Sequence, residues 1–232
     1  MRRFVAQGII LTRTDFGEAD RIITFLTPDH GKVQAIAKGV RKSKSKLAGG
    51  IELFSISDLT FLVGRSEIYT LISSRLVKHY GNIVKDLDRT NAAYELLRVS
   101  NKATEQAPEP AYFKLLNLAL QALDNPKLDS QITALWFSMQ LLKLAGHAPN
   151  LRTDSRGAQL AKSAAYDFQL DRMHFVPEKS SRGTFTANHI KFLRVGFAAA
   201  NPKVLARVEG IDKLAVLTQP LIQTMLKSFV RI

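Results

Sequence analysis

Between Gly31 and Gly50 the chain carries Lys32, Lys38, Arg41, Lys42, Lys44 and Lys46, and no acidic residue among them. Ser43 and Ser45 alternate with the lysines, and Gly39, Gly49 and Gly50 flank the run. The chemistry open to such a segment is neutralisation of a polyanion. Each ammonium that meets a phosphate releases condensed counterions, and the serine hydroxyls can hydrogen-bond phosphate oxygens. No side chain in the run is arranged to read base edges, so binding is expected to depend little on nucleotide sequence. The spacing predicts a mobile cationic loop between strands. A solvated loop with no ligand is the plainer alternative.

Other chemistries find less support. Asp15, Glu18 and Asp20 could in principle hold Mg²⁺ for phosphodiester cleavage, but Asp and Gly are also what a turn between two strands demands. The histidines at 30, 79, 147, 174 and 189 are scattered, and no pair has metal-ligand spacing. Gly39-Val-Arg-Lys-Ser43 lacks the spacing of a phosphate-binding loop. Neither H-E-x-x-H nor G-x-S-x-G occurs. The chain has no cysteine, which excludes disulfides, thiol nucleophiles and thiolate metal sites. No catalytic residue, cofactor or metal is expected. Exposed aromatic rings would stack single-stranded bases, and the candidates are Phe16, Phe54, Phe61, Tyr69 and Tyr80.

The elements that must position these residues follow from periodicity. The chain has 232 residues, room for one large domain or two smaller ones. Alternation and turn residues predict strands over Phe4 to Arg13, Arg21 to Thr27, Lys32 to Lys38, Phe54 to Val63 and Glu67 to Val77. Pro28-Asp-His-Gly31 is a turn between the second and third. Short strands packed this densely suggest a small closed barrel. After residue 80 the period becomes helical. Helices are expected over Asn91 to Ala103, Ala111 to Leu123 and about 130 to 144, capped by Asp129 or Ser130. Residues 151–183 are the least regular, with β-like pieces at Ala164 to Leu170 and Met173 to Val176. Helical patterns resume at Thr186 to Ala199, about Pro202 to Val208, and Lys213 to Val230. The fold class is therefore α+β, with domains over 1–80 and 81–232.

Thirty-three Lys and Arg against 20 Asp and Glu give a net charge of +13, an excess that favours polyanionic partners. No apolar stretch approaches the length of a membrane-spanning helix, and the start of the chain predicts no signal peptide. A cytoplasmic protein without a membrane partner is expected.

Several segments resemble the RecO family of recombination mediators. They are Gly8-Ile-Ile-Leu-Thr12, Asp15-Phe-Gly-Glu-Ala-Asp-Arg-Ile-Ile-Thr-Phe-Leu-Thr27, Gly31-Lys-Val33 and Ala37-Lys-Gly-Val-Arg41, then Ser43-Lys-Ser-Lys46 and Phe54 onward to Gly64-Arg65. Further on, Phe137-Ser-Met-Gln-Leu-Leu-Lys-Leu-Ala-Gly-His-Ala-Pro-Asn-Leu151 resembles the family's central helix and its exit. The resemblance spans about residues 4–80 and, less closely, 130–180. It implies an N-terminal OB-fold barrel followed by a mainly helical domain with a zinc-finger-like insertion. It also implies a protein that binds single- and double-stranded DNA and anneals complementary strands. The implied partners are RecR and the acidic tail of the single-strand-binding protein, with RecA loaded indirectly, in DNA repair and recombination.

The sequence departs from the family in one respect. Where many members carry two C-x-x-C pairs, this chain has Thr153 and Arg156, then residues near Pro177 and Ser180. The lobe at 151–183 is then degenerate, without structural zinc, and Tyr166, Phe168, Leu170 and Phe175 are its expected apolar staples. The expected DNA-binding residues are Lys38, Arg41, Lys42, Lys44 and Lys46, supported from the barrel by Arg13, Arg21, Arg75 and Lys78. Lys191, Arg194, Lys203, Arg207 and Lys213, beside apolar helix faces, are candidates for holding an acidic partner tail. Two alternatives stay open: an RNA-binding OB-fold protein, and an adaptor for acidic protein tails.

Overall fold

Alternating apolar residues close the first part of the chain into a barrel. In the computed structural model, which describes residues 2–65, 67–104, 109–161, 164–178 and 183–230, five strands form it. They are β1 (Arg3–Phe16), β2 (Asp20–Thr27), β3 (Gly31–Ala37), β4 (Ser55–Leu62) and β5 (Tyr69–His79). Their order around the barrel is β1-β2-β3-β5-β4. β1 runs antiparallel to both β2 and β4, and β3 meets β5 in parallel. This is the connectivity of an OB-fold, a five-stranded Greek-key barrel.

Alternation decides what lies inside. Ala6, Ile10, Ile23, Phe25, Val33, Ala35, Ala37, Leu59, Phe61 and Leu71 form the barrel core, and Val40 and Ile51 of the β3–β4 connection join it. Ile9 and Leu11 point the other way yet are buried. Helix α1 (Leu87–Ala103) packs on β1 and covers them. Its N-terminus is capped by Asp86, whose side chain accepts from the Arg89 amide at 2.9 Å, so the helix begins one turn before the apolar pattern does. Helix α2 (Pro110–Leu123) packs on α1, with Pro110 in the first turn where a missing N–H costs nothing. Buried Tyr80 links barrel and helices: its hydroxyl donates to Asn117 Oδ1. Burial, with the Asp124 carboxylate nearby, pushes its phenol up to about 12, so it stays a donor. The chain separates into compact units at residues 1–126 and 127–232, so α1 and α2 group with the barrel although the sequence period changes near residue 80.

The second unit is built on α3 (Ser130–Leu144), where Asp129 caps the helix by accepting from the Ile132 amide at 2.8 Å. Ile132, Leu135, Trp136, Phe137, Met139, Leu141 and Leu142 are all buried, so the helix is enclosed on most sides. It packs against α4 (Ala187–Ala198) and α5 (Ile211–Phe229). The Trp136 indole donates to the Ala199 carbonyl at 3.0 Å, which fixes the end of α4. The helix expected over about Pro202 to Val208 is a single 3-10 turn, Leu205–Arg207. Only Pro202 and Leu205 are buried there, too little apolar surface to hold a longer helix.

The irregular segment is a small sheet of β6 (Asn150–Asp154), β7 (Ala165–Gln169), β8 (His174–Pro177) and β9 (Phe185–Thr186), in the order β6-β8-β7-β9. Tyr166, Phe168 and Phe185 each meet the Phe175 ring edge-on. Tyr166 and Phe175 are buried, whereas Phe168 and Leu170 are half-buried. Thr153 and Arg156 frame a turn organised from within by Asp154. Its carboxylate, 5% exposed, accepts from the amides of Arg156 at 2.8 Å and Ala158 at 3.0 Å. Burial opposes ionisation of Asp154, but these amides and the Arg156 charge outweigh it and hold the carboxyl below its ordinary value. Pro177 ends β8, and Ser180 lies outside the described residues. Among the described residues no group of three or more His, Asp or Glu is placed to hold a metal ion, and no helix is long and apolar enough to cross a membrane.

Candidate nucleic-acid interface

The connection between β3 and β4 is anchored before it is charged. The Gly39 amide donates to Asp20 Oδ1 at 2.7 Å, and the Arg41 amide to the Ala19 carbonyl at 2.9 Å, so the β1–β2 hairpin holds the start of the loop. Turns bonded from Lys42 to Gly39 and from Ser45 to Lys42 carry the chain on. Val40 and Ile51 sink into the barrel core, and the Ser74 hydroxyl of β5 donates to the Leu47 carbonyl at 2.9 Å. Lys38, Arg41, Lys42, Lys44 and Lys46 are left exposed on this scaffold.

Electrostatics divides the expected cations into two groups. Arg21 Nε lies 2.7 Å from Asp15 Oδ1, and Arg41 Nε lies 3.4 Å from Asp15 Oδ2. The Arg21 hydrogen bond, with the charges of Arg41 and Arg13, holds the Asp15 carboxyl below its ordinary value. Arg41 also donates to the Glu18 carbonyl at 3.3 Å. Arg13 donates to the Ile51 carbonyl at 3.2 Å and stands 3.5 Å from Glu52. The carboxylates of Asp15 and Asp20 are therefore spent on organising arginines and the loop, and Glu18 contributes its main-chain carbonyl. By contrast, Lys38, Lys42, Lys44 and Lys46 have no carboxylate partner among the described residues. They can give their whole charge to a phosphate.

Arg75 and Lys78 make contacts of their own on β5. Arg75 is bound to Asp58 of β4 at 2.8 Å, and the same carboxylate accepts from Gln7 of β1. The Lys78 ammonium lies over the Tyr80 ring, 4.8 Å from its centre. Of the aromatic candidates, Phe54, Phe61 and Tyr80 are buried, and Tyr69 is packed against Phe4 and Phe61. Phe16, 51% exposed at the end of β1, is the one that offers a free ring. Tyr94 on α1, also 51% exposed, is a further surface ring that the helical pattern did not single out.

In the second unit the expected tail-binding residues do not form one site. Lys191 and Lys213 line a groove of about 590 Å³ between α4 and the start of α5, together with Phe192, Val195, Val208 and Leu214 and with one carboxylate, Glu209. His189, in the same groove, is engaged in capping: its Nδ1 accepts from the Thr186 amide at 3.1 Å. Arg194 lies on other grooves and donates from Nε to the Leu151 carbonyl at 2.6 Å. Lys203 and Arg207 are exposed around the 3-10 turn and line none of these grooves. Sequence reasoning passed over Arg152 and Lys143, which share grooves with Arg194. They are separated along the chain, and only tertiary folding brings them together.

The geometry defines a class: an α+β protein with a basic OB-type barrel, followed by a helical unit bearing a small β lobe. Comparison with known proteins narrows it. The family model described as recombination protein O N terminal matches residues 1–80, and that described as recombination protein O C terminal matches residues 84–184. A DNA repair protein RecO from Dehalococcoides mccartyi is 37% identical over 150 residues, 64% of this chain and 58% of the relative. One from Bifidobacterium adolescentis is 36% identical over 148 residues, 63% of this chain and 60% of the relative. One from Streptomyces coelicolor is 36% identical over 157 residues, 64% of this chain and 63% of the relative. The chain belongs to the RecO family. It matches less than two thirds of the length of each of these relatives.

Proposed function

We propose that this chain acts in DNA repair and homologous recombination as a non-enzymatic mediator. It binds single- and double-stranded DNA, anneals complementary strands, and helps load RecA on DNA coated by the single-strand-binding protein, together with RecR. Its place of action is then the bacterial nucleoid. Residues 1–80 are taken as the DNA-binding part and residues 81–232 as the part that meets protein partners. The observation that carries the reading is the β3–β4 loop, with four exposed lysines that lack carboxylate partners among the described residues, mounted on the barrel of a RecO-family chain. Two strands repel each other through their phosphates. Lysines that bind both strands lower that repulsion, and base pairing supplies the driving force, so no nucleotide hydrolysis is needed.

A second component, compatible with the first, is favoured by the groove between α4 and α5. An apolar lining beside Lys191 and Lys213 suits a short peptide that presents both carboxylates and apolar side chains, the chemistry of an acidic protein tail. The test is annealing of two complementary fluorescent oligonucleotides coated with the single-strand-binding protein, without ATP, over a salt series. Annealing that weakens with salt is the expected result. Absence of any DNA binding would overturn the reading.

A further inference from the structure

The β3–β4 loop carries an exposed hydroxyl among its cations. Ser43 follows Arg41 and Lys42 and is followed by Lys44 and, after Ser45, by Lys46. It stands at the first corner of the turn closed by the Ser45 amide on the Lys42 carbonyl at 3.0 Å, and it is exposed. Its hydroxyl has no hydrogen-bond partner among the described residues. Ser45 differs. It is half-buried, and its Oγ accepts from the Leu47 amide at 3.3 Å.

The loop can present this serine to another enzyme without disturbing the barrel. Its anchors lie on either side: the Gly39 and Arg41 amides on the β1–β2 hairpin, and the Leu47 carbonyl under the Ser74 hydroxyl of β5. Between them the chain is held among the described residues by two turn hydrogen bonds, Lys42 to Gly39 and Ser45 to Lys42, and by the Ser45 contact. None of residues 42–46 is buried. Cations on both sides of a free hydroxyl suit an enzyme whose acceptor groove is acidic, because charge pattern is what such enzymes read. Lys42, Lys44 and Lys46 have no carboxylate partner among the described residues, so their charge is as available to that groove as it is to DNA.

We propose that Ser43 is a phosphorylation site, and that a phosphate there switches the loop off DNA. The modifying enzyme is a serine kinase of the class that selects basic residues beside its acceptor, and the phosphoryl donor is ATP with magnesium. Ser43 Oγ attacks the γ-phosphorus and the new O–P bond forms. The hydroxyl proton passes to the kinase's base, the bond from the γ-phosphorus to the bridging oxygen breaks, and ADP leaves. The product carries a charge of about −1.5 to −2 at neutral pH and three strong acceptor oxygens. Lys42 and Lys44 are its neighbours in the chain, and a charge-assisted hydrogen bond to either one withdraws that ammonium from DNA. Two ammonium groups withdrawn should flatten the slope of log K against log salt by about 1.4 for single strands. The inference rests on the DNA-binding reading of this loop and adds its regulation.

The full chain is treated with the catalytic domain of a serine kinase that prefers basic acceptor segments, together with ATP, and fragmentation mass spectrometry locates the phosphate. Anisotropy of a labelled oligonucleotide over a salt series is read before treatment, after it, and after a phosphatase. The expected result is transfer to Ser43 and none at that segment in Ser43→Ala. Affinity at about 0.1 M salt should fall about tenfold and recover with the phosphatase. Saturating oligonucleotide should block the transfer, since the loop cannot occupy DNA and the kinase groove together. No transfer to Ser43, or a phosphoprotein that binds DNA as the unmodified chain does, would overturn the proposal. The triple variant Lys42→Ala, Lys44→Ala, Lys46→Ala separates the two readings. If it loses affinity and the phosphoprotein does not, the switch alone fails; if neither loses affinity, the DNA-binding reading of the loop fails with it.

Discussion

Replacing Lys42, Lys44 and Lys46 together by Ala removes exposed charges that no carboxylate among the described residues offsets and leaves the loop's anchors in place. The anchors are the Gly39 amide on Asp20, the Arg41 amide on Ala19, and the burial of Val40 and Ile51. Binding to single strands loses about 0.7 in the slope of log K against log salt for each phosphate contact removed, so the triple variant should be flatter by about 2. Between 50 and 200 mM salt, a slope difference of that size changes the affinity ratio of the two proteins about sixteenfold. Arg41→Ala should change the slope less than one lysine does. Asp15 already neutralises part of Arg41, and a phosphate that binds there must displace the carboxylate. Fluorescence anisotropy of a labelled oligonucleotide at five salt concentrations measures both, with Lys102→Ala on α1 as a control for net charge. Equal slopes for the triple variant and the unaltered protein would refute the reasoning. So would a Lys102→Ala effect as large as that of a loop lysine.

Gly50→Ala would place a Cβ 2.7 Å from the Ser74 carbonyl carbon. The backbone must give, and urea unfolding should show a loss of about 1–3 kcal/mol; an unchanged midpoint would mean that the loop does not approach β5 this closely. Trp136→Phe leaves the Ala199 carbonyl without its buried donor and should cost about 1–3 kcal/mol in the same assay. Asp154 has a lowered carboxyl pKa in the folded state. Its contribution is therefore present above the ordinary value of 3.8 and is lost as the pH falls through the lower folded value. Amide signals of Arg156 and Ala158 should shift through that acid window, and Asp154→Asn should abolish the shift. Addition of a chelator should leave the melting temperature of the unaltered protein where it was, because the turn is organised by a carboxylate.

The barrel was readable because its signals are local. Alternation at Val33, Ala35 and Ala37 names the inward face directly, and all three are core. Asp129 before an apolar run marks a helix start by itself, and it caps α3. What escaped was non-local. Ile9 and Leu11 break the alternation rule because α1 lies on the outside of the barrel, and nothing near residue 10 announces a helix at residue 87. The same blindness affected the charges. A sequence gives Arg21, Arg41 and Lys42 one positive charge each. Folding sets a carboxylate 2.7 Å from the first and 3.4 Å from the second, and none among the described residues pairs with the third. The acidic-tail group was likewise drawn from helix faces, and tertiary packing separated Arg194 from Lys191 and Lys213.

Among the described residues of the lobe, ordinary side chains do the organising that the family resemblance assigns to a metal. A structural ion would tie the turn near Thr153 and Arg156 to the segment around β8. Here each half of that task has its own agent. Asp154 closes the turn through two backbone amides, and the Asn150 carboxamide fixes the strand that leads into it. Edge-on packing of Tyr166, Phe168 and Phe185 around Phe175 holds the sheet. None of these contacts consumes the charge of Arg152 or Arg194. The Asp154 carboxylate subtracts from the positive charge near those guanidiniums. Asp154 nevertheless spends part of its charge on Arg156, 3.5 Å away, and the rest on backbone amides. The field at the Arg152–Arg194 grooves therefore remains cationic.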